Sequence, residues 1–123
     1  MAPLHHRMDA GVDTGPIIDR ETFPILEGDT AGTLHARACD RLVELFARNI
    51  GYLVDAHGRV EATPQEGGSR TFRYADINHE IDLAWPPEKI YDMVRALTFP
   101  GKGKPFIRIG NHAYSLSLDE DEE

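Results

Sequence analysis

The chain of 123 residues reads as an α/β protein, and three patterns point there. A Gly-punctuated loop carrying two carboxylates, Asp9 and Asp13, opens onto an apolar, β-branched run at Ile17-Ile18. Apolar residues then recur at steps of three and four through 34–50 and again through 90–97, the period of helices that lay one face on a core. The chain ends in two alternating runs joined through Gly110-Asn111-His112, the pattern of a hairpin.

In order, Leu4, His6 and Met8 alternate with His5 and Arg7 behind Pro3, which predicts a short strand over 3–8. Gly11 and Gly15 each follow an Asp by two residues, so 8–16 is predicted as a tight loop between strands. A second strand is expected over 16–25, and Glu27-Gly28-Asp29 is a turn. A helix starts next, with Asp29 or Thr30 as its N-cap. Leu34, Ala38, Leu42, Leu45, Phe46 and Ile50 form its stripe, as on a helix packed against a sheet, and Gly51 is expected to end it. His35, Arg37, Asp40, Arg41, Glu44 and Arg48 read as its solvated face. Tyr52-Leu53-Val54 fits a short strand or a frayed helix end, and Asp55 to Gly58 is a turn. Gln65-Glu66-Gly67-Gly68-Ser69 suits a mobile lid or a plain linker equally. Pro86-Pro87-Glu88 opens a second helix, because a proline in the first turn loses no helical hydrogen bond. Ile90, Met93, Val94 and Leu97 are its buried stripe, Trp85 is expected to pack on it, and Pro100-Gly101 stop it. Strands over 105–109 and 113–118 form the hairpin, with Tyr114, Leu116 and Leu118 on its inward or partner-facing side.

Length leaves room for one domain, and 41% hydrophobic residues can fill a core. The net charge of −8 is inflated by Asp119-Glu120-Asp121-Glu122-Glu123, expected to be a disordered tail over 119–123 beside an ordered 1–118; without it the charge is about −3. That balance suits a polyanion poorly, so nucleic acid is a disfavoured partner. Cys39, the single cysteine, excludes an intrachain disulfide and fits a reducing cytoplasm; beside Ala38 and Leu42 it reads as a buried, inert thiol. No apolar run approaches the ~20 residues that span a bilayer, so no membrane role is expected. His5 and His6 lie near Asp9 and Asp13, but the paired spacing of a zinc site is missing and no metal is expected.

A carboxylate on a Gly-flanked loop can be aimed into a cleft for acid–base work. Residue types alone favour the plainer alternative, a turn in which both Asp side chains cap backbone amides.

The run His6-Arg7-Met8-Asp9-Ala10-Gly11-Val12-Asp13-Thr14-Gly15-Pro16-Ile17 resembles the catalytic-loop signature of the formyltetrahydrofolate-dependent formyltransferases, which include methionyl-tRNA formyltransferase and the sugar N-formyltransferases. Asp29-Thr30-Ala31-Gly32-Thr33-Leu34 is similar to a helix start in that family. Pro64-Gln65, Ile81-Asp82, Val94-Arg95-Ala96-Leu97 and Phe99-Pro100 follow in its order. The resemblance covers roughly residues 4–112. It implies the C-terminal part of a Rossmann-like formyltransferase domain with a terminal helix and hairpin, and N10-formyltetrahydrofolate as formyl donor to a primary amine. Asp13 matches the family's catalytic aspartate, as base or as partner of one. His6 would line the cleft, Asp9 would hold the loop through its amides, and Gly11, Thr14 and Gly15 would complete the binding loop.

The family also carries an Asn-x-His pair and a Ser-Leu-Leu-Pro-like folate loop, both upstream of this signature. Asn49, Asn78 and Asn111 all follow the loop here, and none stands two before a His. The resemblance therefore implies the distal part of the catalytic domain, expected to be inactive alone and to pair with a complementary upstream half or as a homodimer. A non-catalytic remnant acting as a binding or dimerisation module stays open. The acidic balance, and the Phe99-Pro100 and Pro105-Phe106 pattern, lean toward an amino-sugar nucleotide as the small-molecule acceptor, with methionyl-tRNA as the alternative.

Overall fold

A computed structural model describes residues 1–67 and 70–119. The elements run β1 (Leu4–His6), β2 (Ile17–Arg20), α1 (Ala31–Asp55), a 3₁₀ turn (Tyr74–Asp76), α2 (Pro87–Leu97), β3 (Phe106–Ile109) and β4 (His112–Ser115). Two compact units share them: Met1–Ile25 with His35–Arg70, and Leu26–Leu34 with Thr71–Glu123. Most of the expected tail, and Gly68-Ser69 of the expected lid, lie outside the described residues.

In the first unit β1 and β2 pair antiparallel, Leu4 opposite Arg20 and His6 opposite Ile17, with an irregularity between His5 and His6. A third segment joins this ribbon. Ile17 and Thr63 exchange both backbone hydrogen bonds, at 2.7 and 2.8 Å. The second strand stops at Arg20, short of the expected 25, although Glu21 and Phe23 still donate to the carbonyls of Pro3 and Met1. Phe23, Leu45 and Val60 are the buried apolar residues of this unit.

Helix α1 runs past Gly51. A glycine inside a helix costs about 1 kcal/mol, and here the end is set further on by a Schellman arrangement. The Gly58 N–H donates to Leu53 O at 2.9 Å and the His57 N–H to Val54 O at 3.0 Å, with His57 in the left-handed region at φ 51°. Tyr52-Leu53-Val54 is therefore helical. Of the expected stripe only Leu45 is fully buried; Leu42, Phe46 and Ile50 stay exposed, as do Val43 and Val54 beside them.

Two readings of α1 are corrected. Its polar face is more than solvated: Arg48 Nη2 lies 2.9 Å from Asp19 Oδ2, Asn49 Nδ2 donates to the same oxygen at 2.7 Å, and Arg41 reaches Glu44 at 3.0 Å and Glu21 at 3.6 Å. Arg48, Asn49 and Arg41 thus tie the helix to Asp19 on β2 and to Glu21 just after it, alongside the apolar contact of the buried Leu45. Cys39 is exposed, its Sγ 3.5 Å from His35 Nε2, on a helix whose stripe residues Leu42, Phe46 and Ile50 are themselves exposed.

The Asn49 amide, then the Arg48 guanidinium, hold the Asp19 carboxyl below its ordinary 3.8. A lowered folded pKa adds stability above the unfolded value and loses it as pH falls through the folded one. We expect Asp19→Asn to cost about 1 kcal/mol at neutral pH. The gap to wild type should close below about pH 4, measured as melting temperature against pH. A gap that persists unchanged at pH 3 would remove the charge-based account.

The second unit begins before α1. Thr30 caps that helix: its Oγ1 accepts from the Thr33 N–H at 3.2 Å while Thr33 Oγ1 accepts from the Thr30 N–H at 2.9 Å, a reciprocal capping pair. The buried Asp29 carboxylate accepts from the Leu26 N–H at 2.7 Å and the Thr33 hydroxyl at 3.0 Å. Arg95 on α2 donates to the Asp29 carbonyl at 3.0 Å and pairs with Asp92 at 2.7 Å. Gly32 has no room for a side chain, since a Cβ would stand 2.8 Å from Pro100 Cδ. Its N–H donates to Thr98 O at 3.0 Å. So the Asp29–Leu34 and Val94–Pro100 motifs are two sides of one contact.

Pro87 occupies the first position of α2, as expected. Ile81, Val94 and Leu97 form the buried cluster, with Trp85, Ile90, Met93, Ile107, Leu116 and Leu118 packed against it. Trp85 also carries Lys89 Nζ 4.1 Å above its ring. β3 and β4 pair antiparallel about the two-residue turn Gly110-Asn111, where Gly110 sits at φ +59°. Leu116 and Leu118 face the core, whereas Tyr114 is exposed. Among the described residues no helix is long and apolar enough to cross a membrane. Among the described residues no three or more His, Cys, Asp or Glu side chains are grouped to hold a metal ion.

Candidate functional site: the Asp13 loop

Residues 7–16 join β1 to β2 in the first unit, and the local chemistry explains their shape. Asp9 Oδ1 accepts the Gly11 N–H at 2.9 Å and the Thr14 hydroxyl at 2.6 Å. Those two bonds, the hydroxyl first, hold the Asp9 carboxyl below the usual carboxylate range. Asp9 thus closes an Asx turn, and its charge is spent on the loop. Gly11 leaves space for the Thr14 hydroxyl, which a Cβ would meet at 2.1 Å. Gly15 is buried where a Cβ would stand 1.5 Å from the Arg7 carbonyl oxygen, so only glycine fits.

The product of this folding is Asp13. Its backbone lies in the left-handed region at φ 54°, which Asp and Asn tolerate better than other side chains, and its carboxylate is 87% exposed. His6, at the end of β1, faces it with Nε2 3.5 Å from Asp13 Oδ1. The other ring nitrogen, Nδ1, lies 2.8 Å from the Arg7 carbonyl and so carries a proton there. Nε2 is left as the nitrogen that can share a proton with Asp13. His6 and Asp13 therefore face each other at the surface of a turn held by the hydrogen bonds of Asp9.

Sequence reasoning missed what grips the loop from outside. Gln65 Nε2 donates to the carbonyls of Asp13 at 2.9 Å and Gly15 at 2.6 Å, anchored by the Ile17–Thr63 pairing two residues earlier. Arg7 Nη2 donates to the Val60 carbonyl, so the segment after α1 is gripped in return. Pro64-Gln65 stood out only through the resemblance; a lone glutamine in a polar loop carries no periodic signal. All six residues singled out from sequence, His6, Asp9, Gly11, Asp13, Thr14 and Gly15, fall in this one structure.

Comparison with known proteins gives the loop its context. No family model matches the chain. The methionyl-tRNA formyltransferase of Methylobacterium nodulans is 35% identical over 98 residues, covering 77% of this chain and 31% of that protein. The N-formyltransferase of Helicobacter canadensis, solved with folinic acid and dTDP-3-aminofucose, superposes with a TM-score of 0.73 at 29% identity, over 89% of this chain and 40% of that one. The chain belongs to the formyltransferase family. A 4-N formyltransferase from Francisella tularensis, at 21% identity, shows the same α/β fold with a TM-score of 0.83 over 98% of this chain and 51% of its own. The chain spans about a third of the length of the curated formyltransferases it matches and about half of the solved ones.

Proposed function

We propose that this chain supplies the acid–base loop for transfer of a formyl group from N10-formyltetrahydrofolate to a primary amine, with an amino-sugar nucleotide as acceptor. One observation carries the reading: Asp13 is an exposed carboxylate on a turn that Asp9 and Gln65 hold fixed, with His6 Nε2 at 3.5 Å. In the reaction the amine nitrogen bonds to the formyl carbon and the bond from that carbon to the folate N10 breaks. The amine must shed a proton and N10 must gain one. Asp13 takes the first of these, and His6 can share it.

A carboxylate on a turn held by hydrogen bonds suits the proton-accepting role, and the family relationship supports a formyl-folate donor. The complex of the Helicobacter relative with a dTDP-amino sugar, together with the acidic balance of this chain, supports the sugar acceptor. Methionyl-tRNA is the second reading, because the curated relatives carry that name.

None of Asn49, Asn78 and Asn111 stands two before a His, so this chain does not itself offer the oxyanion-stabilising Asn-x-His pair that the family implies. We infer that the complementary part of the family's domain covers the open apolar residues of α1, Leu42, Val43, Phe46 and Ile50. The 123-residue chain alone should then give no formyl transfer to amino-sugar nucleotides or methionyl-tRNA. Adding the upstream half of a related formyltransferase, fused or in trans, should restore it. Turnover near about 1 per second by the isolated chain would overturn the proposal, as would a fused pair that binds and folds but never transfers.

A further inference from the structure

We propose that the second unit carries a separate small-ligand pocket, shaped for a single planar ring bearing one anionic group. It lies between the 3₁₀ turn, the end of α2 and the loop after it. Tyr74, Ile77, His79, Leu97, Phe99 and Lys102 supply most of its wall, around a cavity of about 210 Å³. Nothing in the formyl-transfer reading uses any of them.

The wall is apolar apart from three polar side-chain groups, and two of these are already committed to each other. The Gly103 N–H donates to Tyr74 Oη at 2.9 Å. His79 Nδ1 lies 3.0 Å from the Ile77 carbonyl and holds its proton there, so Nε2, 3.4 Å from Tyr74 Oη, is the acceptor for the phenol hydrogen. The two rings meet edge to face with centroids 5.6 Å apart. This short relay fixes the aromatic wall without offering a free donor to a ligand.

The third group is different. Lys102 Nζ stands 5.3 Å from the Tyr74 ring centroid, and among the described residues no carboxylate lies within ion-pair distance of it. The pocket therefore presents apolar and aromatic surface with a single positive charge at one side. Its volume equals that of about seven waters at roughly 30 Å³ each. That is enough for one substituted ring and well short of a drug-sized molecule, whose pockets start near about 300 Å³. A flat apolar body would replace water against Ile77, Leu97 and Phe99, while a carboxylate or phosphate on it would meet Lys102.

The test is amide NMR of the full chain titrated with benzoate, phenyl phosphate and neutral benzamide. Binding should move the amides of Tyr74, His79, Lys102 and Gly103. Lys102→Gln should weaken the anions about fivefold, the scale of one exposed charge pair, and leave benzamide unchanged. Whichever of benzoate and phenyl phosphate loses more identifies the preferred anion. Ala96→Leu, which fills the pocket, should remove all three ligands, with circular dichroism confirming the fold. Shifts confined to other residues, no saturable binding, or an equal effect of Lys102→Gln on anions and benzamide would each overturn the proposal. None of these outcomes depends on formyl transfer.

Discussion

Asp13→Asn, placed in the complemented enzyme, lowers the formyl-transfer rate by about a hundredfold or more, the range expected for a general acid–base group. The substitution is a clean probe because asparagine is the other side chain at ease with the left-handed backbone that Asp13 adopts at φ 54°. Shape is retained and only the proton acceptor goes. The control is Asp9→Asn. Its amide oxygen can still accept from the Gly11 N–H and the Thr14 hydroxyl, so the loop survives and the rate falls far less. Rates for both, read beside melting temperatures, separate the two roles. Equal losses that track a falling melting temperature would make the pair structural and remove Asp13 from the chemistry.

Gly15→Ala should be as damaging by a different route. A methyl group there would overlap the Arg7 carbonyl oxygen at 1.5 Å, and backbone cannot swing aside as a flexible side chain would. Moving it would disturb the Arg7 N–H bond to the Pro16 carbonyl and the double grip of Gln65. We expect a loss of about 3 kcal/mol in stability, the upper part of the usual overpacking range, with transfer abolished even at temperatures where the chain stays folded. Chemical denaturation and the transfer assay on the same preparation check it. An alanine variant of wild-type stability and rate would mean that the loop is far softer than its contacts require.

Where one face of an element repeats, the sequence was readable. Both helices, the hairpin and the Asp loop follow from period, turn chemistry and caps. The misses have physical causes. Gly51 reads as a terminator by helix propensity, but the helix ends at the Schellman arrangement of His57 and Gly58. The solvated face of α1 became a charge network once Asp19 and Glu21 lay alongside it, a juxtaposition that no local window contains. The neighbours Ala38 and Leu42 suggest a buried Cys39, but Leu42 is itself exposed and burial does not follow the stripe. At the site, the loop's own residues were legible, whereas Gln65, 50 residues from the Gly15 carbonyl it holds, was visible as a position and not as a clamp.

The bond from Arg95 to the Asp29 carbonyl spans 66 residues of chain, and the second unit is sewn from two distant stretches by it and by the Gly32–Pro100 approach. During synthesis the Leu26–Leu34 stretch must therefore wait for its distant partners until α2 and the loop after it have been made. Until then that stretch has only its local support, the Thr30–Thr33 cap and the bonds of Asp29 to Leu26 and Thr33. A protease cut anywhere between His35 and Arg70 would leave the pieces of this unit joined only by noncovalent contacts. No fragment taken from one side of such a cut contains the whole unit.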